Sequence, residues 1–260
     1  MRIIILTSTP RGIASRVLPE LCRNSSLEIA GVVLAHGSSP KKNNLERKIR
    51  KTVKIGILGA LNGIRMRSWF ADSDAEDIDR VCQRLGVQLA ETPFVNSDMT
   101  VELFKKFNAD VGLSLGNGYI AKKVFSIPRF GMVNIHTEIL PDFQGAQSII
   151  WPIYENRKET GFTIHQVDSK IDTGDILLQE RYPIEFKPTL EDTVRQNLRV
   201  ARDRIPSAFS YVCENYESLR ERASPQTNGR SYTTPSMWQF LRMVRNHRAL
   251  YKEFETAWVP

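Results

Sequence analysis

Short runs of β-branched residues alternate with helix-length amphipathic segments through the first half of this 260-residue chain, and this alternation narrows the possible folds more than any other feature. Arg2-Ile3-Ile4-Ile5-Leu6 reads as a buried strand, closed by the turn Ser8-Thr9-Pro10-Arg11-Gly12. Residues 13–23 then put Ala14, Val17, Leu18, Leu21 and Cys22 on one helical face. A second strand is expected at 27–35, an amphipathic helix at 74–85, and a short strand at 87–90. A further helix at 100–107 follows the candidate cap Ser97 or Asp98, and two more strands fall at 110–115 and 132–135. Strands separated by helices, with few hairpin signals, predict an α/β fold: a mostly parallel sheet with helices on both faces.

The second half departs from that rhythm. Residues 161–167 and 175–182 read as two strands joined by 168–174, so the sheet is expected to end in a different pairing. Thr189 caps a long helix with Glu191 and Asp192 in its first turn. That helix is expected to break near Pro206 and resume over 207–219. Trp238, Phe240, Leu241, Val244 and Leu250 predict one more short helix docked on the main body. The division expected is a catalytic domain at 1–188 and a small helical C-terminal extension at 189–260.

A basic segment at about 40–68 interrupts the α/β pattern. Nine cations stand between Lys41 and Arg67 against the single acid Glu46, so the net charge of +7 is one local feature. Leu45, Ile49, Val53, Ile57 and Leu61 recur every four residues among these cations. Such a helix can be a solvated insertion covering the sheet edge, an anion or phosphate site, or a membrane-surface contact. No apolar run approaches the length needed to span a bilayer, so a cytoplasmic protein without stable membrane insertion is expected. Cys22, Cys82 and Cys213 are odd in number and far apart, which suits free thiols in a reducing compartment. His36, His136, His165 and His247 show no zinc-binding spacing, and no metal is expected.

Gly131-Met132-Val133-Asn134-Ile135-His136 closes a strand with Asn134 and His136 on one side. The carboxyl end of a parallel strand faces the usual ligand crevice. There an amide can donate to a developing oxyanion, while an imidazole exchanges a proton or adds a second donor. Asp172, in Lys170-Ile171-Asp172-Thr173-Gly174-Asp175, sits in a turn whose glycine permits unusual backbone angles; its carboxylate could orient the histidine and raise its pKa. Read alone, Asn134 and His136 are equally polar residues ending a strand, and Asp172 equally a turn former.

From about residue 110 to 183 the chain resembles the folate-dependent formyltransferase family, most closely its sugar N-formyltransferases. The likeness rests on Asn134-Ile135-His136 leading to Leu140-Pro141 and Gly145, on Thr160-Gly161-Phe162-Thr163-Ile164-His165, and on Asp172-Thr173-Gly174. It implies a Rossmann-like formyltransferase fold, 10-formyltetrahydrofolate as formyl donor, and Asn134, His136 and Asp172 as catalytic residues. It also implies a donor pocket made largely of main chain, carried here by Gly116, Tyr119, Ile120, Val167 and Asp168. Thr9, Arg11, Glu138, Gln144 and Gly145 are the residues expected to hold the acceptor. Where the family often has serine this chain has Glu138, either binding the acceptor's ammonium at the cleft mouth or simply solvated.

The resemblance leaves several acceptors open. Methionyl-tRNA formyltransferases usually carry a second, barrel-like domain, whereas roughly seventy helical-looking residues follow the last expected strand here. Glycinamide ribonucleotide formyltransferases seldom carry the 41–67 insertion or this tail. A nucleotide-diphosphate amino sugar is expected by elimination, with a GDP-linked 4-amino-4,6-dideoxy sugar such as GDP-perosamine favoured, for surface polysaccharide such as O-antigen. Nucleic acid is not the expected partner, and a homodimer is allowed. A formyltetrahydrofolate hydrolase and an inactive folate-fold module binding a partner through its basic helix are the competing readings.

Overall fold

The computed structural model describes residues 1–37, 44–145 and 147–257. In chain order the elements are β1 (Arg2–Thr7), α1 (Ile13–Arg23), β2 (Glu28–Ala35), α2 (Asn44–Arg65), a 3-10 turn (Met66–Trp69), α3 (Ile78–Leu85) and β3 (Leu89–Thr92). These are followed by α4 (Asp98–Phe107), β4 (Val111–Ser114), α5 (Lys122–Phe125), β5 (Met132–His136), β6 (Gln144–Gly145) and α6 (Ile150–Tyr154). The chain continues through β7 (Glu159–Gln166), β8 (Ile176–Pro183), α7 (Leu190–Glu214), α8 (Tyr216–Glu221), β9 (Ser231–Tyr232) and α9 (Met237–Ala257).

Seven strands form one sheet in the order β3-β2-β1-β4-β5-β7-β8. The first five are parallel, and β7 and β8 add antiparallel pairs, which is the change of pairing expected from the sequence. Both sheet faces are covered. Ile3 and Ile5 pack into a core with α1, α3 and α7, while Ile4 and Leu6 pack into another with α4. A strand whose alternate residues enter two cores must be apolar throughout, which is why β1 lacks a polar face.

Local sequence signals fix several boundaries. Ser97 accepts from the Thr100 amide at 3.1 Å and caps α4. Thr189 likewise accepts from Asp192 N at 3.1 Å and caps α7. Two helices differ from expectation. α7 runs unbroken through Pro206 to Glu214, and the chain turns only at Asn215. An internal proline costs about 3 kcal/mol. Here Ala201, Ile205, Ala208, Phe209 and Val212, on both sides of it, are buried in one core, and that burial offsets the loss. α9 is a full 21 residues rather than short, packing with α6 and Phe186 in a third core.

The basic segment folds as α2, kinked at Gly56 (φ 75°), but its apolar stripe points the other way from a covering helix. Val53, Ile57 and Leu61 are exposed, while Gly59 and Gly63 face inward against residues 234–237 and Asn62 is buried. Lys41 and Lys42 lie outside the described residues.

Candidate active site

The site is built where β5 ends. Parallel register on β4 sets Ser114 beside Asn134; antiparallel register on β7 sets His165 opposite Asn134 and Thr163 opposite His136. Cross-strand partners project from the same face of a sheet. Ser114, Asn134 and His165 therefore stand in one row, and all three line a cleft of about 560 Å³ together with His136 and Asp172.

Hydrogen bonding orients these groups. His165 Nδ1 faces the Gln166 carbonyl at 2.8 Å and must donate to it. In the neutral ring Nε2 then accepts from the Asn134 carboxamide nitrogen, 3.2 Å away. One Asn134 hydrogen is thus spent on His165, leaving the other for the cleft. His136 Nε2 donates to the Phe143 carbonyl at 2.6 Å, so the nitrogen that gains or loses a proton is Nδ1. That atom lies 3.6 Å from Asp172 Oδ2, and Asp172 Oδ1 lies 3.7 Å from His165 Nε2.

Asp172 reaches this position through a tightly held turn. Asp168 accepts from Lys170 N at 2.9 Å and from the Thr173 hydroxyl at 2.8 Å. The left-handed backbone expected of Gly174 belongs to Asp172 itself (φ 55°), an arrangement aspartate tolerates better than most residues. Gly174 is required for a different reason: a Cβ there would stand 1.9 Å from the Gln166 carbonyl oxygen. Gly145 N donates to Asp172 Oδ2 at 3.0 Å and fixes the carboxylate from the opposite wall.

Burial is the largest influence on the His136 imidazole and holds its pKa below the ordinary histidine value. Asp172 and the Phe143 carbonyl pull upward without reversing it, and His165 adds to the depression. Asp172 does pull this histidine upward, as expected, but burial outweighs it. Burial also pushes Asp172 upward, but His165, His136 and the Gly145 amide together outweigh it and keep the carboxyl below its usual range.

The remaining sequence expectations divide. Tyr119, Ile120, Val167 and Asp168 line the cleft, joined by Asn117 and Gly118. Gly116 does not; it makes the turn after β4 (φ 82°), with Ser8 Oγ donating to its carbonyl at 2.9 Å. Of the five residues expected to hold the acceptor, only Gly145 lines the cleft. Thr9 lies against Gly116 outside it, and the exposed Arg11 leans toward Asp77 at 3.8 Å. Gln144 is turned inward and donates to Gln226 Oε1 at 3.1 Å.

Glu138 is neither at the mouth nor solvated. It is 2% exposed and accepts from Ile149 N at 2.6 Å, Thr160 Oγ1 at 2.8 Å and Ile139 N at 3.1 Å. The reason is the following loop, whose amides need an acceptor beneath the sheet. Burial pushes this carboxyl up to about 7, against the pull of those three donors.

Two contributors were missed. His165 was legible as part of the Thr160–His165 strand, since alternation puts it on one face with Thr163. Ser231, Tyr232 and Thr233 also line the cleft, brought there when β9 pairs with β6. The Tyr232 ring packs at a tilt against Trp151 and Phe143, with centroids 4.6 and 5.6 Å away. Nothing local in that polar stretch marks it as a cleft wall. None of the cations of α2 lines the cleft among the described residues, so the idea that they meet a substrate diphosphate finds no geometry; Lys170 is the cation that does line it. Among the described residues no group of His, Cys, Asp or Glu could hold a metal ion.

Comparisons with known proteins agree with this architecture. The formyl transferase family model matches residues 1–208. The methionyl-tRNA formyltransferase of Thermodesulfovibrio yellowstonii is 28% identical over 162 residues, covering 61% of this chain and 50% of its own length. The GDP-perosamine N-formyltransferase of Brucella melitensis is 36% identical over 99 residues, 38% of each chain. The chain thus spans half the length or less of these relatives. The crystal structure of WlaRD, a sugar 3N-formyl transferase in the presence of dTDP and 5-N-formyl-THF, shares the fold. Its TM-score is 0.58 at 16% identity, covering 98% of this chain and 81% of that one. With the sheet, the row of polar residues at the end of β5 and a family match running from β1 well into α7, the chain belongs to the formyl transferase family.

Proposed function

We propose that this protein transfers a formyl group from 10-formyltetrahydrofolate to the amino group of a nucleotide-diphosphate amino sugar. The observation that carries the reading is the convergence of Asn134, His136 and Asp172 on one cleft, although the first and last stand 38 positions apart in the chain. The donor fits the half of the cleft walled by Gly118, Tyr119, Ile120 and Val167, a mainly apolar slot for a flat ring.

The roles follow from the hydrogen bonds. As the amine lone pair adds to the formyl carbon, the carbonyl electrons move onto oxygen. The Asn134 N–H not spent on His165 stabilises that oxygen. His136, kept neutral by burial, takes the ammonium proton at Nδ1, and Asp172 then faces the imidazolium. As the carbon–nitrogen bond to the folate breaks, the same proton passes to the departing folate nitrogen, which leaves neutral. Asn134, His136 and Asp172 are the catalytic residues of this reading. Tyr232 and Thr233 stand on the wall left for the acceptor.

The sugar acceptor is supported by the GDP-perosamine relative and by the fold shared with a sugar formyltransferase. A methionyl-tRNA acceptor is favoured instead by the longer match to methionyl-tRNA formyltransferase. Incubation with 10-formyltetrahydrofolate and a panel of GDP-, UDP- and dTDP-linked amino sugars, methionyl-tRNA and glycinamide ribonucleotide, read by product mass, decides between them. A formyl gain on a nucleotide sugar alone is expected. Formylated methionyl-tRNA rejects the sugar reading, and formate release without any acceptor rejects transfer altogether.

A further inference from the structure

The helix α2 is amphipathic in an inverted sense. Its inner face carries the glycines and Asn62 beside the buried aliphatic Ile55: a Cβ on Gly63 would stand 2.5 Å from Thr234 Cγ2, and one on Gly59 would stand 3.1 Å from the Ser236 Cα. These glycines let the helix lie close against the strand-to-helix connection before α9. Its large aliphatic residues are left outside. Ile49, Val53, Ile57, Leu58, Leu61 and Ile64 are all more than half exposed. Beyond the kink, Ile57, Leu61 and Ile64 fall within one face of the helix, with Leu58 beside it. Trp238, 81% exposed, follows two residues after Ser236, and Leu241 one turn further on is half exposed. A row of this size on one surface is more than scattered apolar exposure.

Charge identifies what covers it. Arg50, Lys54 and Arg67 are exposed along the same segment, and Glu46 is its single acid. A second copy meeting this face through a two-fold axis would set this cation-rich segment against an identical one, with a single acid on each to offset the repulsion. Nucleic acid would satisfy the cations but leave branched aliphatics without a partner, since stacking calls for aromatic planes. An anionic bilayer surface satisfies both at once: acyl chains take the aliphatic row, headgroup phosphates take the cations, and an exposed tryptophan suits the interfacial zone. No described helix is long and apolar enough to cross a membrane, so the contact is peripheral.

We infer that the outer face of α2, with Trp238, docks this protein on an anionic phospholipid surface. Docking there holds the cleft close to the bilayer, because Thr233 lines the cleft and its neighbour Thr234 packs against Gly63. The inference does not depend on which amine is formylated.

The test is co-sedimentation of the full chain with vesicles of phosphatidylcholine alone and of phosphatidylcholine mixed with phosphatidylglycerol. Binding is expected to the mixed vesicles only, weakening as salt rises. Leu58→Ser with Leu61→Ser should lower the partition coefficient about tenfold or more, and Arg50→Glu with Lys54→Glu similarly. All four positions are exposed, so thermal melting should stay unchanged. Trp238 emission should shift to the blue on mixed vesicles, and Trp238→Phe should abolish that shift. Equal behaviour on both vesicle types, or no sedimentation, overturns the inference. So does a concentration-dependent dimer that Leu58→Ser with Leu61→Ser converts to monomer, because the row is then covered by a second copy.

Discussion

The carboxamide nitrogen of Asn134 lies 3.2 Å from Nε2 of His165, and the antiparallel register of β5 on β7 puts the two residues directly opposite one another. Because the other ring nitrogen of His165 is committed to the Gln166 carbonyl, this contact decides which end of the Asn134 amide faces the cleft. In the proposed mechanism His165 therefore acts through Asn134 rather than on the reacting atoms.

Asn134→Ala should lower kcat by about a hundredfold or more, the usual cost of losing one oxyanion donor. His165→Ala should cost less, and in the Asn134→Ala background it should cost almost nothing further, since its orienting role has no object there. Steady-state kinetics of the two single variants and the double variant measure this. Additive losses would make the two residues independent.

In the proposed mechanism the His136 proton sets the acid side of the pH profile. Its imidazole is held below the ordinary value of 6.5, so the neutral form persists on acidification. The acid limb of kcat/KM should therefore lie below pH 6.5. Asp172→Asn removes the charge that pulls this pKa upward, so the surviving activity should show a limb displaced to still lower pH. A limb displaced upward would contradict the pairing of Nδ1 with Asp172.

Glu138 links stability to pH with a definite sign. Its carboxyl is raised from 4.5 to about 7 in the folded protein. The folded state therefore holds this proton more tightly than the unfolded chain does. The resulting stabilisation is full below about 4.5 and is lost as pH rises through about 7, an effect on the order of 3 kcal/mol. Urea unfolding across that window should show the loss in the wild type, and Glu138→Gln should flatten it. An unchanged slope in the variant would assign the pH dependence elsewhere.

Gly174→Ala tests the turn that presents Asp172. Its Cβ would meet the Gln166 carbonyl oxygen at 1.9 Å, so the backbone of the turn must move. A stability loss of about 2 kcal/mol is expected, as for other forced overpacking. Activity should fall as well, because the 3.6 Å spacing of His136 and Asp172 depends on this turn. Melting curves and kcat measured together check it; full activity would free the site from the turn's geometry.

Gly145→Ala acts on the opposite wall. The added methyl would lie 2.3 Å from the Tyr232 carbonyl oxygen and disrupt the β6–β9 pair. Since Tyr232 and Thr233 stand on the proposed acceptor wall, KM for the acceptor should rise about tenfold or more, with a smaller change in KM for the folate donor. Equal effects on both substrates would remove the C-terminal strand from acceptor binding.

Sequence by itself determined what nearest neighbours along the chain control. The apolar run of β1 fixed a strand buried on both faces, the spacing over residues 13–23 fixed α1, and Thr189 fixed the start of α7 through its own hydroxyl, while the cap of α4 was narrowed to Ser97 or Asp98. Asn134 and His136, two apart on one strand, and the Asp172 turn were equally visible. What lay beyond reach was the partner of each surface. Pro206 breaks an isolated helix, yet α7 continues because residues on both sides of it are buried in one core. By periodicity the stripe of α2 suits either a face covering the sheet edge or an outward contact surface; Gly59 and Gly63 offer the closer fit to residues 234–237 and turn the aliphatics outward. Glu138 reads as a surface acid until the loop amides that need it are folded over it, and Tyr232 reaches the cleft only through pairing with Gly145 across 87 positions. Periodicity is a property of a segment, whereas burial is a property of two surfaces meeting, and only the tertiary structure contains the second surface.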